Sequence, residues 1–189
     1  MSAGTRPFSF LRAGPIIFAM TMLTTTLRRA SIADLSAVDR LLGRSYPRLL
    51  AADYPPSALV LAVPRFARAQ PELLASGRYF VAEDGRGRVL AAGGWSWRSP
   101  AGGSAAEASG HVRHVATDPD AARQGMGRRV MERVIEDARA AGVARLDCLS
   151  TRTAVPFYRA LGFRALHPQE LPLGAGIGFP VMRMALDLR

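Results

Sequence analysis

From Gly125 to Ala141 the apolar residues Met126, Val130, Val134 and Ala138 recur at every fourth position, with Met131 and Ile135 widening the stripe. Residues four apart lie on one side of a 3.6-residue turn, so this spacing predicts an amphipathic helix with one face on a core, closed by Gly142. The segments on either side, "HVRHVAT" (111–117) and "VARLDCL" (143–149), have strand character. Strand, helix and strand in that order require a parallel crossover, since a short hairpin joins only antiparallel neighbours.

The remaining segments supply the antiparallel part of the sheet. "YFVAED" and "RVLAAGGWSW" are separated by Gly85, Arg86 and Gly87 and read as a hairpin. A short strand in "TTTLRRAS" runs into Ser31, which with Asp34 three residues later resembles a capping box and starts a helix through Leu42. Tyr46 to Ser76 is a proline-punctuated helical or irregular stretch, "AVPFYRAL" a short helix ended by Gly162, and "PVMRMALDL" a last strand after the loop "PLGAGIG". The expected fold class is mixed α/β, a mostly antiparallel sheet with a central parallel pair, flanked by helices.

With 189 residues, about half of them apolar, the chain can bury one sizeable core, and hydrophobic content this high excludes an intrinsically disordered protein. We expect a single domain over residues 24–189. The net charge of +10 comes from 25 basic residues, all arginine. They are scattered, and several sit one helical turn from an acid, as Arg128 does from Glu132 and Arg133 from Asp137, which reads as a solvated face and argues against a nucleic-acid surface. Cys148 is the single cysteine, so no internal disulfide framework exists, and a reducing, cytoplasmic setting is expected. Its apolar surroundings fit a small buried side chain better than a nucleophile. Residues 1–23 carry Arg6 and Arg12 before "AGPIIFAMTML", too short an apolar run to span a bilayer and without a clear cleavage site. They are read as a disordered or misassigned extension, with Met20 and Met22 as alternative starts, and no membrane association is expected.

The turn "ARQGMGRR" (122–129) opens the long helix. The first N–H groups of a helix have no intrahelical partner and its dipole is positive there, so a glycine-bearing strand-to-helix turn can hold an anion. Gly125 and Gly127 would let a phosphate approach the backbone; equally, Gly125 would supply a tight turn and Gly127 close helix packing. A dinucleotide fingerprint lacks its third glycine here, and a P-loop lacks its Gly-Lys-Ser/Thr.

The stretch "VATDPDAARQGMGRRVMERVIEDARAAGVARLDCL" followed by "VPFYRALGF" resembles the GNAT superfamily of acyl-CoA-dependent N-acetyltransferases. The element order agrees from Thr24 onward, and the specific motifs lie between His111 and Phe163. The resemblance implies that the parallel pair splays apart and that the end of the first strand, Val115, Ala116 and Thr117, offers unpaired backbone to the pantetheine arm. It implies that Arg123, Gln124, Gly125, Met126, Gly127 and Arg128 wrap the pyrophosphate of acetyl-CoA, the cosubstrate, with no metal required. Two positions depart from the family pattern: Ala122 stands where a longer polar side chain is usual, and Thr151 where an asparagine is common, so the cofactor contact at Thr151 is expected to be differently made.

Acetyl transfer to an amine needs a polarised carbonyl, a neutral amine and a proton for the departing thiolate. By resemblance, Tyr158 is the general acid near the sulfur, and an N–H of Val115 or Ala116 binds the carbonyl oxygen. His111, four residues before Val115 and by alternation on the same face as Arg113 and Val115, is the candidate base. His114 falls on the opposite face; Glu107, Glu83 or water are fallbacks. Trp95 and Trp97 alternate with Ser96 and face one side, as core or pocket wall. Residues Tyr46 to Ser76 and Gln169 to Phe179 are expected to shape the site for a small-molecule or peptide amine. No acidic cluster marks a polycation trap, and the sequence leaves a homodimer open. Two other readings stay open: a non-catalytic acyl-CoA sensor on the same fold, and an arginine-rich nucleic-acid binder.

Overall fold

The structure is a computed structural model and describes residues 25–101, 108–174 and 176–189. The expected extension over residues 1–23 and the fallback base Glu107 lie outside the described residues. Seven strands form one open sheet in the order β1 (Thr26–Arg29), β2 (Tyr79–Glu83), β3 (Val89–Ser96), β4 (Ser109–Thr117), β5 (Arg145–Ser150), β7 (Gly178–Asp187), β6 (Arg164–Pro172). Among the described residues only β4 and β5 pair in parallel.

One face of the sheet is covered by α4 (Met126–Ala140) and the short α5 (Val155–Arg159). The apolar stripe of α4 delivers Val130, Met131, Val134 and Ala138, each fully buried, onto a core that includes Phe80, Trp95 and Leu146. The opposite face is covered by α1 (Leu35–Leu50), α2 (Pro56–Phe66) and α3 (Pro71–Ala75), which bury Val38, Leu41, Leu42 and Leu74 against Tyr79, Val81 and Ala92. A third cluster, in which Tyr54 stacks on Phe179 at 4.6 Å between centroids, closes the space between α2 and β7. At the entry to α1, the Asp34 carboxylate accepts from the Ser31 N–H at 2.8 Å and from Arg28, whose guanidinium also reaches Glu83. The hydrogen bonds from Arg28 hold the Asp34 carboxyl down to about 2, so β1, α1 and β2 share one charged clamp.

Two elements differ from the sequence expectation. The first helix runs on to Leu50 through Pro47, because Ser45 and Leu50 beyond the expected end are buried by tertiary contacts that outweigh the missing hydrogen bond. Strand β6 was not foreseen: it carries Pro168 and Pro172 and little apolar alternation, which an exposed edge strand tolerates since its outer N–H groups need no partner.

Strand β4 pairs with β5 only from Ser109 to His111, opposite Arg145 to Asp147, and diverges beyond. It also bulges. Its register with β3 passes from Gly94↔Arg113 to Ala92↔Ala116, leaving Gly93 opposite both His114 and Val115, and His114 takes a left-handed φ of 45°. The extra residue reverses the alternation. Val115 therefore joins Val112 on the α4 side, and the expectation that His111, Arg113 and Val115 share a face is corrected: His111 and Arg113 stay on the other side. The Tyr79 hydroxyl donates to the His114 carbonyl at 2.7 Å and the Tyr46 hydroxyl to that of Val115 at 3.4 Å, so both bulge carbonyls are held.

The bulge depends on Gly94, where an added Cβ would collide with the Arg78 carbonyl and come within 2.8 Å of the Tyr79 Cα. Backbone cannot rotate away as a side chain can, so Gly94→Ala is expected to lose about 2–3 kcal/mol of stability or more. Urea unfolding measures this, and an unchanged midpoint would contradict the packing described.

Candidate active site

The chain leaving β4 is fastened before it reaches α4. Asp118 is buried, accepts the Asp120 N–H at 2.9 Å and pairs with Arg44 of α1 at 3.3 Å, while Asp120 meets Arg44 at 2.8 Å and Arg48 at 3.2 Å. Arg123 and Gly125 then take left-handed φ angles of 64° and 81°. The first helical bond is from the Arg129 N–H to the Gly125 carbonyl at 3.0 Å. Among the described residues, the N–H groups of Gln124, Gly125, Met126, Gly127 and Arg128 therefore have no acceptor. Five such donors at the positive end of a 15-residue helix, with the Arg123 and Arg128 side chains beside them, make a phosphate cradle.

The two glycines have different reasons to be there. Nothing lies within 4 Å of a Cβ built on Gly125, which needs glycine for its backbone angle. A Cβ on Gly127 would sit 2.8 Å from the Thr117 Oγ1 and 3.7 Å from the Phe157 ring. Gly127 thus serves the close approach of α4 to the end of β4.

The cradle opens into a cleft of about 590 Å³, a size suited to a small-molecule ligand. Val115, Ala116 and Thr117 form one wall, Arg123, Gly125, Met126, Gly127 and Arg128 the second, and Thr151 and Tyr158 the third. Of the residues singled out from sequence, Gln124 and His111 lie off it; the Gln124 side chain is exposed and turns back to the Asp120 carbonyl at 3.4 Å. Helix α1 adds Ser45, Tyr46, Leu49 and Leu50, which in sequence are indistinguishable from the rest of an amphipathic face. The Thr153 Oγ1, buried at the cleft without a partner, is a further polar atom that a ligand would satisfy.

Tyr158 is held edge-on between Phe157 at 5.2 Å and Phe163 at 5.4 Å, with its hydroxyl beside the Cys148 thiol. Burial drives the Tyr158 phenol well above its usual range and pushes the thiol up to about 12. Both stay protonated at neutral pH. Tyr158 can therefore donate a hydrogen bond, and Cys148 is a neutral buried side chain.

A smaller pocket of about 120 Å³ adjoins the cleft and shares Tyr46 and Thr151 with it. Phe66, Leu149, Leu171, Phe179 and Val181 line it with Arg113 and His114. The expected acceptor regions thus contribute Tyr46, Phe66, Leu171 and Phe179. Burial, with Arg113 nearby, lowers the His114 imidazole to about 4. His111 lines neither cavity. It is the last residue of β4 paired with β5, opposite Asp147, half-buried, its Nε2 enclosed without a partner and its pKa lowered by burial. Trp95 is buried on the α4 side with its Nε1 donating to Asp137 at 2.9 Å, and Trp97 stands edge-on to it at 5.0 Å. Among the described residues no cluster of three His, Cys, Asp or Glu could hold a metal, and no helix is long and apolar enough to cross a membrane.

An open sheet whose one parallel pair splays around a helix N-terminus is the fold of N-acetyltransferases. It matches a GCN5-related N-acetyltransferase from Rhodopseudomonas palustris at TM-score 0.69 and 19% identity, covering 89% of this chain and 99% of that one. It matches the PaiA N-acetyltransferase of Thermoplasma acidophilum, solved with coenzyme A, at 0.65 and 11%, covering 87% and 99%. The ribosomal-protein-S18-alanine N-acetyltransferase of Escherichia coli follows at 0.59 and 22%, covering 87% and 94%. No curated protein matches the chain. Residues 75–165 match the family model described as an acetyltransferase (GNAT) domain.

Gly127→Val is expected to destabilise the protein by about 1–3 kcal/mol, with part of the loss recovered in combination with Thr117→Ala; strictly additive losses in urea would show that the two sites do not touch. A second expectation concerns pH. The folded pKa of His114, near 4, lies below its unfolded value of 6.5. Between those values the unfolded chain holds a proton that the native state does not. Its contribution to stability is complete above about 6.5 and is lost as pH falls toward 4, by up to about 1.4 kcal/mol per unit. His111 acts in the same direction and remains in a His114→Gln variant. Unfolding midpoints at pH 7 and pH 5 should thus diverge more in the parent than in His114→Gln; equal divergence would contradict the burial described.

Proposed function

We propose that the protein, acting as a single domain over residues 24–189, transfers an acetyl group from acetyl-CoA to the primary amine of a small-molecule or peptide acceptor by direct attack in a ternary complex. The observation that carries the reading is the meeting, in one cleft, of the unpartnered N–H groups of Gly125, Met126, Gly127 and Arg128, the unpaired edge of β4 and Tyr158. The donors from Gln124 to Arg128, with Arg123, would hold the pyrophosphate of acetyl-CoA, and the edge of β4 from Val115 to Thr117 would hydrogen-bond the pantetheine arm. Acetyl-CoA supplies an activated thioester. A backbone N–H at Val115 or Ala116 would donate a hydrogen bond to the carbonyl oxygen as negative charge develops on it, a kind of interaction whose loss costs several kcal/mol elsewhere.

Tyr158 would hydrogen-bond the departing sulfur. A phenol held above its ordinary pKa gives up its proton reluctantly to a thiolate, so orientation and hydrogen-bond donation account for more of its role than complete transfer. For the amine's proton, the pocket wall favours His114 over His111, because His114 faces the adjoining pocket and is neutral at physiological pH. So low a basicity suits an acceptor that passes the proton on to water. Thr151, at the boundary of both cavities, would contact the cofactor where the family commonly has asparagine.

Calorimetry with acetyl-CoA and coenzyme A, alongside thiol release against an amine panel, tests the reading; absence of binding at millimolar ligand would overturn it. Binding with no thiol release from any amine would instead favour the sensor reading. Tyr158→Phe is expected to lower kcat by about 10–100-fold with acetyl-CoA affinity little changed. His114→Gln should reduce kcat/KM by a similar factor without removing a limb near pH 6.5, whereas His111→Ala should change it less than about threefold. A parent profile with a histidine limb near neutrality that His111→Ala abolishes would return the base to His111.

A further inference from the structure

The pocket beside the cleft contains a cation without a counter-ion. The Arg113 guanidinium is held by two neutral acceptors, Nη1 donating to the Ser96 Oγ at 2.8 Å and Nη2 to the Gln70 Oε1 at 2.7 Å, and its Nε is buried without a partner. Among the described residues no carboxylate pairs with it, although Arg28, Arg29, Arg44, Arg128, Arg145 and Arg183 all have acidic partners. A desolvated guanidinium facing only neutral groups is an unfavourable arrangement that an entering carboxylate would relieve, through charge-assisted and potentially bidentate hydrogen bonds. Apart from His114 and Thr151, the rest of the wall is apolar and aromatic, with Tyr46, Phe66, Leu149, Phe179 and Val181 prominent. At about 120 Å³ the pocket approaches the roughly 150 Å³ cavity that holds a benzene, enough for an apolar side chain and little more.

We propose that the acceptor is a free α-amino acid with an apolar side chain, its carboxylate bound by Arg113, its side chain among Phe66, Phe179 and Val181, and its amine beside His114 at the boundary with the cleft. The inference rests on the acetyl-transfer reading above and names its substrate class. In an α-amino acid the carboxylate and amine share one carbon, so anchoring the carboxylate on residue 113 leaves the amine within reach of residue 114. The nitrogen lone pair forms a bond to the thioester carbonyl carbon as the C–S bond breaks. One proton leaves the nitrogen and one is taken up by the sulfur, so the products are an N-acetyl amino acid and the free thiol, with no change of oxidation state. Polyamines and aminoglycosides would bring positive charge onto an unpaired guanidinium and are disfavoured.

Thiol release from acetyl-CoA would be compared for leucine, methionine and phenylalanine, for their carboxamides, for the corresponding decarboxylated amines, and for spermidine and an aminoglycoside. The parent is expected to prefer each free acid over its carboxamide by at least about tenfold in kcat/KM, as loss of a charged hydrogen bond would give. In Arg113→Gln that preference should collapse, with the acid's KM rising and acetyl-CoA affinity unchanged. Arg113→Lys, which keeps the charge, should retain part of it, and the parent's acid-to-amide ratio stands as a test even if both variants fold poorly. Equal or better turnover of carboxamides, amines or polycations would overturn the inference, and so would a preference that survives in Arg113→Gln. Acetyl-CoA binding with no amino acid acetylated removes this inference alone; no acetyl-CoA binding removes the acetyl-transfer reading with it.

Discussion

The divergence of β4 from β5 after His111 is the constraint on which the other features depend. Backbone N–H and C=O groups left without a partner inside a protein are costly, so a strand edge that opens in mid-sheet needs compensation. Part of it is built in. The bulge at His114 and Val115 turns two carbonyls onto the hydroxyls of Tyr79 and Tyr46, and Gly94 lets the neighbouring chain come close enough for Tyr79 to reach. The rest faces the cleft, where a ligand's polar groups would complete the pairing. Helix α4 starts where β4 ends, with Gly127 against Thr117, so the helix's free N–H groups open onto the same space as the free strand edge.

Charge is distributed to serve this arrangement. Arg44 and Arg48 of α1 are taken up by Asp118 and Asp120, which ties the loop before α4 to the opposite layer of the fold. The pairs to Asp120 are exposed and add little to global stability, so their effect is chiefly on where the loop sits. Arg123 at the cradle and Arg113 in the smaller pocket have no acidic partner among the described residues. These two guanidiniums lie at the two cavities where the proposed ligands carry phosphate and carboxylate.

Local patterns were reliable where the local signal and the tertiary demand coincide. The four-residue period of α4 marked Val130, Val134 and Ala138, which are fully buried, and the Gly85–Gly87 turn joined two strands as read. The crossover order implied the one parallel pair. Residues 115–117 and 123–128 were singled out by the family resemblance that the strand, glycine turn and helix carry, and all but Gln124 line the cleft. Strand β6 was missed since an edge strand can carry prolines and polar residues, and the end of α1 since the burial of Ser45 and Leu50 lies beyond any local cue.

The sequence by itself determined the fold class, the place of the glycine turn and the residue types around it, because periodicity, capping and turn chemistry act over a few neighbouring residues. Only the tertiary structure decided which histidine faces the pocket. A single extra residue in β4, accommodated opposite Gly93 and pinned by two tyrosines from distant segments, reverses the two-residue alternation from which a strand's faces are read. It also decided that Gly127 answers to Thr117, and that Arg113 meets no acid among the described residues, since both depend on chain segments brought together only by folding.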